Sequence, residues 1–206
     1  MMVLITHETS GAVRNAFRTF GHEAYSCDVL PSEDNSPHHI QDDALAVIRN
    51  RKWDFIGMHP ACTFLCGSGL HWNYRGRGWE KTEAALLHVT DLIKAAGTAK
   101  WYLENPVGII STRIRKPDQI IQPYEFGEDA SKKTCLWLNN LPLLRPTRRY
   151  QGRLVEWPKG SGKQVERWGN QTDSGQNRLA PSDKRWKDRS RTYTGVALAM
   201  AQQWGV

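Results

Sequence analysis

The chain has 206 residues, of which 39% are hydrophobic and 24% charged, with a formal net charge of +7 and a mean hydropathy of −0.60. That is enough chain to bury one core. No run approaches the ~20 apolar residues that cross a bilayer, so a membrane-spanning class is excluded. Four cysteines (Cys27, Cys62, Cys66, Cys135) are too few for a disulfide scaffold. The opening MMVLITHETSG has neither the basic start nor the apolar run of a secretory leader, so a reducing cytoplasm is expected.

In chain order, residues 3–6 read as a short buried strand and residues 7–11 as a polar turn. A helix with Val13, Phe17 and Phe20 on one face follows, stopped at Gly21. Residues 24–27 form a second strand with Asp28 at its carboxyl end, residues 31–39 a polar loop, and residues 44–51 a helix. Residues 53–58 read as a buried strand entering a glycine- and aromatic-rich loop over 59–78. Glu80–Ala96 is the strongest helix, with Ala85, Val89, Leu92 and Ala96 at helical spacing and Gly97 as its cap. Residues 101–103 form a strand that ends at Glu104-Asn105-Pro106. Further on, only residues 120–121, 136–138 and a closing helix over 196–204 stand out. Strands alternating with helices predict an α/β fold: a parallel sheet with helices on both faces, right-handed crossovers, and ligands beyond the carboxyl ends of the strands.

Charge divides the chain. Residues 1–140 carry 15 basic and 16 acidic side chains, whereas residues 141–206 carry 13 and 5. Arg148, Arg149, Lys184, Arg189 and Arg191 are interleaved with Tyr150, Trp157, Trp168, Trp186 and Tyr193. Basic side chains pair with phosphates and flat rings stack on bases, so this third is expected to contact nucleic acid; the alternative is a solvated basic surface with half-buried rings. The resulting division is a core over 1–140, an irregular basic segment over 141–190, and a helix over 191–206 that packs back on the core.

Three constellations carry chemistry. The turn His7, Glu8, Thr9, Ser10 and Gly11 opens a helix whose exposed N–H groups favour an anion. Asp28, at the end of the next strand, can accept from ribose hydroxyls. In His59-Pro60-Ala61-Cys62-Thr63-Phe64-Leu65-Cys66, a thiol beside a helix start is expected to have a lowered pKa and to act as a nucleophile. Zinc ligation by His59, Cys62, Cys66 and His71 is the competing reading, but the cysteine spacing is loose and no second pair follows, so no metal is expected. In Glu104-Asn105-Pro106, a carboxyl at a buried strand end can donate a proton or hydrogen bond to a ring nitrogen.

In this linear order the segments resemble the DNA cytosine (carbon-5) methyltransferases, and more closely the small methyltransferase-like proteins of bacteriophage genomes. The resemblance covers roughly residues 1–140 and the closing helix. It implies a Rossmann-like methyltransferase sheet and S-adenosyl-L-methionine as cofactor, bound by His7, Glu8, Thr9, Ser10, Gly11, Asp28, Asp43 and Pro60. It further implies catalysis by Cys62, Glu104, Asn105 and Arg113, the last from Ser111-Thr112-Arg113-Ile114-Arg115, and DNA as substrate in a host cytoplasm. Arg115, Lys132, Lys133, Arg148, Arg149, Arg189 and Arg191 are the expected nucleic-acid contacts. Residues 141–190 would stand in for a full target-recognition domain. The alternatives are the same chemistry on a free pyrimidine nucleotide, or a catalytically silent nucleic-acid-binding protein with this fold.

Overall fold

A computed structural model describes residues 1–180, 182 and 185–206; Lys184 of the basic run lies outside them, and the side chain of Trp186 is likewise not described. The first half contains β1 (Met2–Thr6), α1 (Ala12–Thr19), β2 (Glu23–Asp28), β3 (His39–Gln41), α2 (Ala44–Asn50), β4 (Phe55–Met58), α3 (Gly67–Leu70) and α4 (Glu80–Ala96). The second contains β5 (Lys100–Pro106), α5 (Ile110–Arg113), β6 (Gln119–Ile121), β7 (Thr134–Asn139), β8 (Arg153–Glu156), β9 (Gln164–Arg167), α6 (Arg185–Ser190) and α7 (Thr194–Trp204).

Seven strands form one mixed sheet in the order β3-β2-β1-β4-β5-β7-β6, compatible with a Rossmann-like fold. The five strands from β3 to β5 run parallel. The expected parallel sheet is found over these five strands and departs from that pattern at β7, which is antiparallel to both β5 and β6. The cause is the connection: parallel neighbours need a crossover, usually a helix, and residues 122–133 hold only the short 3-10 turn Pro123–Glu125.

Alternation along the strands sorts side chains into two cores. Val3 and Ile5 of β1, Phe55, Tyr102 and Leu136 pack under α1 and α7. Leu4, Ile56, Met58, Trp101, Leu103 and Trp137 pack under α2 and α4. Helices therefore cover both faces. The buried stripe of α4 is Thr82, Leu86, Val89, Leu92 and Ala96, with Ala85 at its margin. Phe20 caps α1 instead of extending its apolar face and is exposed.

Two elements of the last third depart from the irregular segment expected there. β8 and β9 form a separate antiparallel hairpin. It is fastened to the core by Trp168, which stacks on Tyr124 with centroids 4.0 Å apart. Asn170 and Ser131 also exchange hydrogen bonds of 2.9 and 3.0 Å. α6 then leads into α7. No helix among the described residues is long and apolar enough to cross a membrane.

Candidate active site at the carboxyl edge of the sheet

Parallel register brings Thr6, Asp28, Met58 and the end of β5 to one edge. The turn after β1 abuts the end of β2 through Glu8 N–H to Cys27 O, 3.2 Å, and Asp28 O accepts from Asp42 N–H at 3.1 Å. His7, Asp28 and Asp43 are therefore neighbours. Asp28 Oδ1 accepts from Leu30 N–H at 2.9 Å, and Asp43 caps α2 by accepting from Ala46 N–H at 3.0 Å. His7 has φ 58°, and its Nε2 lies 3.1 Å from Nε2 of His88 on α4. Burial lowers the His7 imidazole from 6.5 to about 3, with His88 and His59 adding to the effect and Asp43 opposing it.

The start of α1 is not an open anion site. The buried Glu8 carboxylate accepts from Val13 N–H at 2.7 Å and Arg14 N–H at 3.2 Å, so the protein's own acid fills the position. Burial raises this carboxyl from 4.5 to about 7, against the pull of those N–H groups. Arg14, also buried, is neutralised by Asp34 and donates to Ser26 Oγ at 2.8 Å. Ser10 Oγ accepts from Ala12 N–H at 3.4 Å, and Thr9 Oγ1 donates to Glu33 at 2.8 Å.

The thiol loop lies against α4 and β5. Asn105 Nδ2 donates to Pro60 O at 2.7 Å, so Pro60 is buried beneath the loop, held by β5. Asn105 Oδ1 is buried with no hydrogen-bond partner among the described residues. Thr82 Oγ1 donates to Phe64 O at 3.1 Å, and Arg77 donates to Gly69 O at 2.7 Å while stacking on Phe64. Two glycines allow this fit: a Cβ on Gly69 would overlap Thr63 O, and one on Gly108 would overlap Leu65 O. The expected low-pKa thiol is displaced by one turn. Cys62 is raised well above the ordinary range by its hydrogen bond to Cys66, by burial and by the Glu104 charge. Cys66 is held below it by that same bond from Cys62, against burial, with help from Ser68 and Gly69. The sequence offers Cys66 only as a zinc ligand, and its i, i+4 spacing from Cys62 is the one signal that the two thiols influence each other.

Glu104 and Asn105 lie inside β5, which runs longer than expected, and therefore face opposite sides. Glu104 opens into a pocket with His59, Lys132, Thr134, Thr192 and Tyr193 as its polar walls. Ile121, Pro123, Val196 and Met200 form the apolar ones. His59 Nε2 is 2.7 Å from the Tyr102 hydroxyl, and burial lowers its pKa, with Glu104 opposing and Lys132 assisting. Glu104 and Lys132 both lie close enough to Cys62 for their charges to act on its thiol. Among the described residues, no three or more His, Cys, Asp or Glu side chains are grouped to hold a metal.

Several expected residues fall elsewhere. Arg113 is turned to the surface of α4, where its Nη2 donates to both Glu83 carboxylate oxygens at 3.0 Å, and it does not line the pocket. Its position on α5, one turn beyond Gly108, directs it away from Glu104. Arg115 is spent on Asp118 at 2.8 Å and Leu138 O at 3.0 Å. Lys132 is a pocket wall. Arg149 lies over the Tyr124 ring and pairs with Glu166 at 2.5 Å. Arg191 and Lys187 both pair with Glu33, at 2.5 and 3.4 Å, which docks the basic segment beside the first turn. Arg189, Arg148 and Lys133 are exposed, and Arg189 is near enough to favour a Cys66 thiolate. No protein-family model matches the chain, and a search of curated proteins finds no significant match.

Proposed function

We propose that the protein is an S-adenosylmethionine-dependent methyltransferase that modifies carbon 5 of cytosine in DNA. The observation that carries this reading is that Glu104 and Lys132, from separate chain segments, line one pocket and both lie near enough to Cys62 for their charges to act on its thiol.

The cofactor residues fit a ligand without phosphate. α1 offers no free first-turn N–H groups to a phosphate, because Glu8 occupies them. The acids beside it, Asp28 and Asp43, suit ribose hydroxyls and a cationic centre instead. His7, Asp28 and Asp43 would hold the cofactor, which when bound supplies an electrophilic methyl group. Pro60, buried and clasped by Asn105, supports the loop and is assigned no cofactor contact. Thr9 and Ser10 shape the turn.

Carbon 5 of cytosine is a weak nucleophile. The Cys62 sulfur bonds to carbon 6, and the electrons of the 5,6 double bond move into the ring. Glu104 hydrogen-bonds ring nitrogen 3 as charge develops there, and Lys132 faces the same ring edge. Carbon 5 would then take the methyl group, whose carrier leaves as the neutral thioether. Transfer of the carbon-5 proton to water would expel the Cys62 sulfur and restore the double bond. Asn105 fixes the loop through Pro60, and a positioned nucleophile gains the advantage of orientation. In a duplex the base must first leave the stack, at a cost of a few kcal/mol; the hairpin and α6 offer the cations for the backbone.

The test is incubation with methyl-labelled S-adenosylmethionine and either DNA or dCMP. The expected result is labelled DNA from the wild type and none from Cys62→Ser. Label only on dCMP overturns the polymer assignment. Salt-dependent DNA binding that is indifferent to Cys62 and Glu104 substitution, with no label anywhere, overturns the enzyme.

A further inference from the structure

The glycine- and aromatic-rich loop runs on from the thiols into residues 71–79, which the proposed methyl transfer leaves unused. This stretch holds His71, Trp72, Tyr74 and Trp79. They form two edge-on pairs, His71 with Trp72 at 5.8 Å between ring centroids and Tyr74 with Trp79 at 5.3 Å. Trp72 is 56% exposed and Tyr74 78%. A lone exposed ring on a surface needs no explanation, whereas large rings displayed together beside a candidate active site do.

The display follows from the residue between them. Asn73 is buried: its Nδ2 donates to Thr82 Oγ1 at 2.8 Å, and its Oδ1 accepts from Arg77 Nε at 3.0 Å. Drawing Asn73 inward turns both neighbours outward. Arg77 Nη2 also donates to Gly69 O at 2.7 Å, and Thr82 Oγ1 donates to Phe64 O at 3.1 Å. The rings are thus carried on the same contacts that fix the thiol loop against α4. Trp72 N–H donates to Gly69 O at 3.2 Å and Gly69 N–H to Cys66 O at 2.9 Å. Helix-like turns therefore link Cys66 to Trp72, and six residues at ~1.5 Å each separate them by about 9 Å. That is roughly three base steps along a strand at ~3.4 Å each.

The charge beside the rings is positive. Residues 67–81 contain Arg75, Arg77 and Lys81 against one acid, Glu80. Arg75 and Lys81 are exposed. Arg113, Arg115, Arg149 and Arg191 are spent on acids, but no ion pair among the described residues engages Arg75. The exposed Arg189 of α6 lies near enough to Cys66 to act on its thiol, so the cations continue past the loop. The rings are parted by Asn73 and flanked by cations instead of merging into one apolar patch, which favours a polyanion with flat bases over an apolar protein face. Each unstacked base offers a π face to a ring, and each phosphate a charge to an arginine.

We propose that the loop over 71–79 is a stacking platform for single-stranded nucleic acid: Trp72 and Tyr74 each take the face of an unstacked base, and Arg75 takes an adjacent phosphate. Setting the target base at Cys62, and so the stacked bases a few nucleotides away from it, rests on the methyltransferase reading; the stacking itself does not.

Binding of the full chain to a fluorescein-labelled single-stranded oligonucleotide is followed by anisotropy, beside an abasic oligomer of the same length. Trp72→Ala should weaken binding to the base-bearing strand roughly tenfold, within the range that one base stacked on an aromatic side chain supplies, and Tyr74→Ala should act alike. Trp72→Phe keeps a π face and should lose much less. On the abasic oligomer the ring variants should match the wild type, and the wild type itself should bind that oligomer more weakly than the base-bearing strand. Arg75→Ala should lower the slope of log affinity against log salt by about 0.7 on both. Equal binding of the base-bearing strand by the wild type, Trp72→Ala and Tyr74→Ala overturns the proposal, as does an equal loss on the abasic oligomer. Trp72-dependent binding to phosphatidylglycerol vesicles, or Trp72-dependent self-association in sedimentation, overturns it where the oligonucleotide shows no dependence on Trp72. If the wild type binds through Trp72 yet labels no DNA, the methyltransferase reading fails and the platform stands. If DNA is labelled and Trp72→Ala and Tyr74→Ala bind it as the wild type does, the platform fails and that reading stands.

Discussion

Glu8 and His7 are adjacent in the first turn and drive stability in opposite directions with pH. Burial raises the Glu8 carboxyl from 4.5 to about 7. Between those values the folded chain keeps a proton that the unfolded chain has lost, so stability falls as pH rises through the window. Burial lowers the His7 imidazole from 6.5 to about 3. Between those values the unfolded chain binds a proton that the folded chain refuses, so stability falls as pH drops. From 4.5 to 6.5 the windows overlap, and two opposed slopes of about 1.4 kcal/mol per pH unit each cancel. Glu8→Gln removes one of them. Stability of that variant, from urea denaturation at constant ionic strength, should rise by about 3 kcal/mol more than that of the wild type across the overlap, since His59 and His22, also lowered by burial, tilt both curves alike. The amide leaves one first-turn N–H unpaired, which lowers the whole curve by roughly 1 kcal/mol without tilting it. His7→Asn, whose side chain tolerates the positive φ, should tilt the curve the other way. A Glu8→Gln profile parallel to that of the wild type would refute the reasoning, because Glu8 would then carry the same charge folded and unfolded.

Arg113→Ala should cost under about 1 kcal/mol, since its pair with Glu83 is solvent-exposed, and should leave methyl transfer unchanged; loss of labelling would return Arg113 to the site. Gly108→Ala should destabilise the chain by about 1–3 kcal/mol in thermal melts and abolish labelling, because the added methyl meets Leu65 O and forces the thiol loop off β5. Trp168→Ala should remove the stack on Tyr124 and weaken DNA binding while leaving S-adenosylhomocysteine affinity intact; equal DNA affinity would show that the hairpin takes no part.

Where a residue's position depends on local pattern, it was legible. α4 follows from its apolar spacing and its glycine stop, and the alternation of strands and helices brings residues 7–11, Asp28, residues 59–66 and Glu104 to one edge. Where position depends on long-range packing, it was not. Glu104 and Asn105 read as a turn because Pro106 follows them, yet antiparallel pairing with β7 carries the strand through to Pro106. β8 (Arg-Leu-Val-Glu) and β9 (Gln-Val-Glu-Arg) are short and hold only three apolar residues between them, so they carry little strand signal, and their order comes from Trp168 and Tyr124, which lie 44 positions apart in the chain. Lys132 reads as a surface cation until β7 turns it toward Glu104. The two cysteines are alike by type, and only the turn joining them, together with the charges around it, makes them unequal.

The charge division along the chain takes on a spatial meaning at Glu33. Its carboxylate accepts from Thr9 of the first turn and pairs with Lys187 and Arg191 of the basic segment. An acid of the nearly neutral core thus anchors the positive tail, and Thr192 and Tyr193, which follow at once, become walls of the Glu104 pocket. On the proposed reading the two ligands carry opposite charge, a sulfonium and a polyanion. The acids stay at the ends of β1 and β2, and the exposed Arg189 of α6 and Lys159 and Lys163 of the hairpin turn lie outward, so each ligand meets the sign that attracts it. The pocket between them is built from both halves. Its formation therefore requires α7 to pack on α1 and on Tyr102, which couples the reactive geometry to the same apolar core that holds the sheet.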